Sequence, residues 1–156
     1  MADYSNSKQK YYWEDNSGPS IVAKTLSRGR GIPIQQANIL LVEDNPVNLK
    51  TMELGLRSKV KSIRNAENGI EALEMFKRQH FDLILMDIQL PLMNGIETSR
   101  EIRKMERNEA VKTPIIAITA NFFSNAKEQA LQAGVNAFLS KPFTRNTLIE
   151  IIEEFL

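Results

Sequence analysis

The chain has 156 residues, of which 42% are hydrophobic, carries a formal net charge of +1 and contains no cysteine. A chain of this length can bury the core of one ordinary domain but hardly of two. The balanced charge excludes the broad basic surface of a nucleic-acid-binding protein, and the lack of cysteine excludes disulfides and thiol chemistry. No apolar run approaches the length of a secretion signal or membrane span, so we expect a cytoplasmic protein.

The first 36 residues differ in composition from the rest of the chain, because they are rich in Ser, Asn, Gly and charged residues. Such a composition predicts a flexible extension, residues 1–36, in front of a domain that spans residues 37–156. Within the extension, Ile21, Val22 and Leu26 have the spacing of a short amphipathic helix. The sole tryptophan also lies there, in a segment that is either a docking site for a partner or a tether.

From residue 37 onward, short apolar runs alternate with amphipathic stretches whose apolar residues recur at helical spacing. The runs predict five strands, which are Asn38–Val42, Val60–Asn65, Leu83–Asp87, Ile115–Thr119 and Val135–Ser140. The second is more polar than the others, which indicates a position near an edge of the sheet. A helix is expected after each strand, with inward-facing residues that include Ile70, Leu73 and Met105. Five strand–helix units predict a doubly wound α/β fold, a parallel sheet with helices on both faces.

The strand Leu83–Asp87 is a continuous apolar run that ends on a carboxylate, a pattern typical of a central strand buried on both faces. In open α/β sheets, ligands bind at the carboxyl ends of such strands. A flavodoxin-like strand order, 2-1-3-4-5, would make the first, third and fourth strands neighbours. Asp87 is therefore expected to lie at the centre of the functional edge.

Polar or charged side chains also lie at the ends of three other predicted strands. Glu43 and Asp44 follow the first strand, Thr119 ends the fourth and Lys141 follows the fifth. Three carboxylates in one crevice repel one another unless one is protonated or a hard cation neutralises them. Oxygen ligands without His or Cys favour Mg2+, or alternatively Mn2+, over zinc. Lys141 and Thr119 suit the oxygens of a phosphoryl group on Asp87, which can be the nucleophile of a phosphoryl transfer. Singly, each residue has an ordinary structural explanation, but their joint occurrence favours a site.

Four segments resemble the signature blocks of response-regulator receiver domains of two-component and phosphorelay signalling. They are Leu41–Asn45, Met86–Gly95, Ile118–Ala120 and Leu139–Phe143. The resemblance extends over residues 37–156 and is strongest to receivers that are attached to hybrid kinases or that work as single domains.

The resemblance implies that Asp87 accepts a phosphoryl group from a phosphohistidine on a histidine kinase or a histidine phosphotransfer protein. It also implies that Asp44, Asp87 and the backbone carbonyl of Gln89 ligate Mg2+, with Glu43 acting mainly through a water. No turnover of a separate substrate is expected, only self-phosphorylation and self-dephosphorylation.

By the same resemblance, Thr119 would move toward the phosphoryl group, Lys141 would pair with it, and the rotamer of Phe138 would follow Thr119. Many members carry Tyr where this chain has Phe138. The Lys141–Pro142 peptide bond is expected to be cis. Phosphorylation would then change the affinity of the surface formed by the fourth helix, fifth strand and fifth helix for a downstream protein target.

Two alternatives use the same residues. A phosphohydrolase of the haloacid dehalogenase type would also form an aspartyl phosphate, but it needs a second Asp two residues after the nucleophile, where this chain has Gln89. A receiver-like interaction module that is not regulated by phosphorylation would not need the charged residues at the strand ends.

Overall fold

The computed structural model describes residues 21–24, 29–120 and 124–156. A short 3-10 helix, Ile34–Gln36, precedes the second strand. The strands are β1 (Ile21–Lys24), β2 (Asn38–Val42), β3 (Ser62–Ala66), β4 (Leu83–Asp87), β5 (Ile115–Thr119) and β6 (Ala137–Ser140). The helices are α1 (Pro46–Leu56), α2 (Gly69–Arg78), α3 (Gly95–Met105), α4 (Ser124–Gln132) and α5 (Arg145–Phe155). Among these helices, none has the length and apolar character needed to span a membrane.

The strands β2 to β6 form a parallel sheet in the order β3-β2-β4-β5-β6. If the parallel strands β2 to β6 are numbered 1 to 5, this order reads 2-1-3-4-5. The predicted flavodoxin-like order is therefore confirmed. Every residue of β4 is buried, as expected of a central strand, whereas most of β3 is only partly buried. The carboxyl ends of β2, β4 and β5 therefore meet at one edge of the sheet.

The two faces of the sheet carry separate apolar cores because successive side chains of a strand point to opposite sides. Leu40 and Val42 pack with α2, α3 and the end of α4, whereas Ile39 and Leu41 pack with α1 and α5. Two expected inward residues do not belong to these cores. The Ile70 side chain is 49% exposed because α2 turns Ala72 and Leu73 inward, and Met105 is 39% exposed at the last turn of α3.

A sixth strand, β1, lengthens the sheet beyond β6 and runs antiparallel to it. The expected helix around Ile21 and Val22 is therefore wrong for residues 21–24, and Leu26 lies outside the described residues. A helix this short gains little from its own hydrogen bonds, whereas the open edge of a sheet offers backbone partners directly.

The last residues of the extension contact the domain at the end of the sheet that lies opposite the carboxyl edge. The Ile32 amide donates a hydrogen bond to the carbonyl of Leu156 at 2.9 Å, and Ile34 is buried. The Arg30 guanidinium donates to the carbonyl of Asp82 at 2.6 Å. The boundary between an extension of residues 1–36 and a domain of residues 37–156 stays a prediction.

Candidate functional site

Three carboxylates, two directly after β2 and one at the end of β4, converge at the carboxyl edge of the sheet. Each of Glu43, Asp44 and Asp87 offers an oxygen that lies within 4.8 Å of those of the other two. Glu43 and Asp87 are buried, with relative exposures of 1% and 6%, whereas Asp44 is exposed. The register between β2 and β4 pairs Val42 with Met86, so the residues that come next, Glu43 and Asp87, lie close together.

Lys141 joins two of these carboxylates. Its Nζ atom donates hydrogen bonds to Glu43 Oε2 at 2.9 Å and to Asp87 Oδ2 at 3.0 Å. Burial favours the neutral amine, but the hydrogen bonds and charges of Glu43 and Asp87 outweigh it and raise the pKa of Lys141 above its ordinary value. Lys141 is therefore a cation at neutral pH and offsets part of the negative charge of the cluster.

Backbone amides orient the remaining carboxylate oxygens. The Gln89 amide donates to Asp87 Oδ1 at 2.8 Å, and the Asn45 amide donates to Glu43 Oε1 at 3.0 Å. Each buried carboxylate is thus bound on one oxygen by a backbone N–H and on the other by Lys141. The Glu43 and Asp87 carboxylates are therefore oriented by contacts within the protein itself.

Thr119 and Phe138 belong to neighbouring strands beside the cluster. Thr119, the last residue of β5, is 6% exposed, and Phe138, in β6, is 1% exposed. The Lys141 amide donates to the carbonyl of Thr119 at 2.9 Å, so the backbone of β6 is tied to the end of β5 directly before the lysine reaches the carboxylates. The Lys141–Pro142 bond is cis, as the resemblance implied.

A cavity of about 420 Å³ opens next to Lys141, between α1 and the segment after β6. Its walls are mostly apolar and are formed by Asn48, Thr51, Met52, Ala120, Pro142 and Phe143 beside Lys141. The sequence interpretation did not include Thr51 and Met52 in this region. Their spacing of three and four residues from Asn48 places them on the same face of α1, so helical periodicity could have identified them.

The start of α1 is shaped by its cap. Asn45 Oδ1 accepts hydrogen bonds from the amides of Val47 and Asn48, and Pro46 occupies the first helical position. This arrangement directs the first turn of α1 toward the cavity and leaves the Val47 side chain 72% exposed.

The donor set of the cluster fits a hard divalent cation. It consists of carboxylate oxygens alone within the described residues, and such ligands suit Mg2+ better than metals that prefer nitrogen or sulfur. Glu43, Asp44 and Asp87 could therefore hold a metal ion at the edge of the sheet.

Residues 39–153 match the family model described as the response regulator receiver domain. The chain is 38% identical over 146 residues to the response regulator mcs4 of Schizosaccharomyces pombe, an alignment that covers 78% of this chain and 28% of mcs4. The chain spans less than a third of the length of the first curated relatives that it matches.

Solved structures match the same region of the chain. The receiver domain of the sensor histidine kinase PA1611 of Pseudomonas aeruginosa, with a magnesium ion coordinated in its active-site cleft, is 43% identical with a TM-score of 0.69. That match covers 77% of this chain and 97% of the PA1611 domain.

The receiver domain of the Saccharomyces cerevisiae response regulator Ssk1, solved together with the histidine phosphotransfer protein Ypd1, is 34% identical with a TM-score of 0.72. It covers 78% of this chain and 90% of that chain. With the strand order, the family match and these neighbours in agreement, the chain belongs to the response regulator receiver domains of two-component and phosphorelay signalling.

Proposed function

We propose that Asp87 accepts a phosphoryl group from a phosphohistidine on a histidine kinase or a histidine phosphotransfer protein. The observation that carries the proposal is the position of the Asp87 carboxylate, which contacts Lys141 at 3.0 Å and shares one cluster with Glu43 and Asp44. The Ssk1 receiver, solved with the phosphotransfer protein Ypd1, supports a donor of this class.

In the proposed transfer, a carboxylate oxygen of Asp87 forms a bond to phosphorus while the bond between phosphorus and the donor imidazole nitrogen breaks. The imidazole nitrogen leaves with the electron pair of that bond. Lys141 places its ammonium beside the reacting carboxylate, where it can bind an oxygen of the phosphoryl group, and the Gln89 amide orients the carboxylate. Such a reaction depends on positioning and charge stabilisation more than on covalent chemistry by the protein.

Mg2+ is the cation that we assign to the cluster, held by Asp44 and Asp87 together with the Gln89 carbonyl, with Glu43 acting through a water. When bound, it supplies positive charge beside the phosphoryl oxygens. The magnesium ion in the PA1611 receiver supports this assignment, and the same oxygen ligands would also accept Mn2+.

The phosphoryl group places about two negative charges beside Lys141 and Thr119, where the carboxylate alone carried one. We assign to Thr119 a movement toward the new oxygens and to Phe138 a rotamer change that follows it, which would alter the affinity for a downstream protein. The chain then acts as a switch, and its only reactions are phosphorylation and dephosphorylation of its own side chain.

A cytoplasmic location agrees with the absence of cysteine.

Mass spectrometry after incubation with acetyl phosphate and Mg2+ tests this proposal. The natural chain should gain one phosphoryl group, and Asp87→Asn should gain none because an amide is not a nucleophile for phosphorus. Removal of Mg2+ with EDTA should also abolish labelling. An unlabelled natural chain would instead favour the interaction module that is not regulated by phosphorylation.

The donor is expected to approach over the cavity beside Lys141. The mostly apolar wall near Pro142 and the exposed Val47 offer contact area for an apolar helix face next to Asp87. This surface would position the donor imidazole, while the acidic cluster carries out the transfer.

A further inference from the structure

The strand β1 continues the sheet at an edge that would otherwise be formed by β6. In the antiparallel register, Ile21 lies opposite Leu139, Ala23 opposite Phe138 and Lys24 opposite Ala137. On its other side, β6 pairs in parallel with β5, with Phe138 opposite Ala117. Phe138, the residue that we propose to change rotamer, thus lies in a strand that is paired on both sides.

The hydrogen bonds of β6 divide between its two neighbours. The Lys141 amide donates to Thr119 of β5. Because N–H and C=O groups alternate in direction along a strand, the backbone groups of Ser140 and Phe138 point to the opposite edge, toward β1. The pair Ala23 and Phe138 is then a hydrogen-bonded pair of the antiparallel ladder.

The pairing between β1 and β6 is interrupted by one irregularity. The register shifts between Ile21 and Ala23, so that three residues of β1 lie opposite two of β6. A bulge of this kind disrupts the ladder locally and increases the twist of the strand that carries it. The strand is short as well, with four residues, the same length as β6.

The same strand β6 leads directly into the site. One residue after its end, Lys141 binds both Glu43 and Asp87, and its amide is tied to Thr119. A displacement of the β6 backbone would therefore move the ammonium relative to the two carboxylates. Arg30 and Ile32 fix the chain after β1 to the far end of the domain, which limits where β1 can go.

We propose that β1 is a positioning strand for the phosphoacceptor site. By pairing with β6, residues 21–24 hold Phe138 and Lys141 in the arrangement that serves Asp87, so part of the extension contributes to phosphorylation from outside residues 37–156. This inference rests on the proposed function, because it concerns the rate of that same reaction. By linkage, a change at Asp87 that shifts β6 also changes the stability of the β1–β6 pairing.

A substitution series at Ala23 in the full chain tests the inference. Ala23→Val keeps the backbone N–H and favours a strand, Ala23→Gly keeps the N–H but weakens a strand, and Ala23→Pro removes the N–H altogether. Hydrogen exchange at the Phe138 amide measures the pairing, with the central Leu85 amide as the reference for overall stability. The initial rate of labelling by acetyl phosphate and Mg2+ measures the site.

We expect exchange protection at Phe138 and the labelling rate to fall together from Val to Gly to Pro, with at least about a threefold lower rate for Ala23→Pro and an unchanged Leu85 amide. A labelling rate that stays constant while Phe138 loses protection would overturn the inference, as would a Phe138 amide that is unprotected in the natural chain. A natural chain that takes no phosphoryl group would overturn the proposed function instead, since the Phe138 amide reports on the pairing independently.

Discussion

Asp82 is a buried carboxylate at the opposite end of β4 from Asp87. Its Oδ2 atom accepts hydrogen bonds from the Asn38 amide at 2.8 Å and from Asn38 Nδ2 at 3.2 Å, and its Oδ1 atom lies 2.9 Å from His80 Nε2. Burial opposes its ionisation, but the Asn38 amide and His80 outweigh burial and hold the pKa of Asp82 below its ordinary value. With the Arg30 contact to its carbonyl, Asp82 joins β2, β4 and the end of the extension.

We predict that Asp82→Asn lowers the free energy of unfolding at pH 7 by about 1–3 kcal/mol, because buried donors lose a charged acceptor. A carboxyl whose pKa is lower in the folded than in the unfolded chain contributes stability above its unfolded pKa of about 4, and this contribution is lost as the pH falls through the folded pKa. Urea unfolding should therefore show a smaller difference between the natural chain and the variant at pH 3 than at pH 7.

The exposed carboxylate of Glu109 provides the control for this measurement. Glu109→Gln removes the same charge without removing buried hydrogen bonds, so it should change the free energy of unfolding little at either pH. A difference for Asp82→Asn that grew on acidification would contradict the assigned direction of the Asp82 pKa.

At the scale of elements, the start of α3 is packed directly against the backbone of Asp87, the proposed phosphoacceptor. Asn94 caps the helix by accepting from the Glu97 amide at 2.9 Å, and the Gly95 amide donates to the carbonyl of Ile88 at 3.0 Å. A Cβ atom on Gly95 would lie 2.2 Å from the carbonyl oxygen of Asp87. The helix can approach this closely only because residue 95 has no side chain.

We predict that Gly95→Ala destabilises the fold by about 1–3 kcal/mol and slows labelling of Asp87, because the backbone of β4 or α3 must shift to relieve the contact. Gly55→Ala is the matched control, since Gly55 also lies in a helix but an added Cβ would meet only Arg145 Cγ at 3.6 Å. That substitution should raise stability by up to about 1 kcal/mol. Urea unfolding and acetyl phosphate labelling distinguish the two, and equal behaviour would contradict the close packing at Asp87.

At the scale of the whole molecule, the two ends of the sheet serve different purposes. Asp82, the 3-10 helix and the C-terminal residue hold the chain together at one end, whereas the acidic cluster and its apolar cavity lie at the other. Under the proposed function, a partner that donates a phosphoryl group is therefore expected to bind at the carboxyl edge.

We predict that Val47→Asp slows transfer from a phosphorylated histidine phosphotransfer protein by about tenfold, because a charge would have to be buried in an apolar contact. Labelling by acetyl phosphate should stay unchanged, since that small donor needs no docking surface. Val111→Asp is the control, because Val111 is also exposed but precedes β5 at the far end of the sheet. Equal loss with both donors would refute the role of this surface.

The local pattern of the sequence was sufficient to locate the five parallel strands and the carboxylates at their ends, whereas the strand order was expected from the flavodoxin-like fold class. Hydrophobic periodicity follows from which faces a helix or strand buries, so the five parallel strands and their carboxyl ends could be located without coordinates. The site followed because each of its residues directly ends or follows a strand. The helical expectation for residues 21–24 failed, because the partner of β1 is more than 100 residues away in β6 and leaves no trace in local spacing.

The sequence by itself determined the fold class, the family and the identity of the charged groups, because these depend on burial patterns and residue chemistry within short segments. Only the tertiary structure decided that Lys141 spans both Glu43 and Asp87, that Gly95 presses on the Asp87 carbonyl and that β1 completes the sheet beside β6. The contacts of Lys141 and of β1 join residues far apart in the chain, and all three contacts depend on how strands and helices pack, which local spacing does not encode.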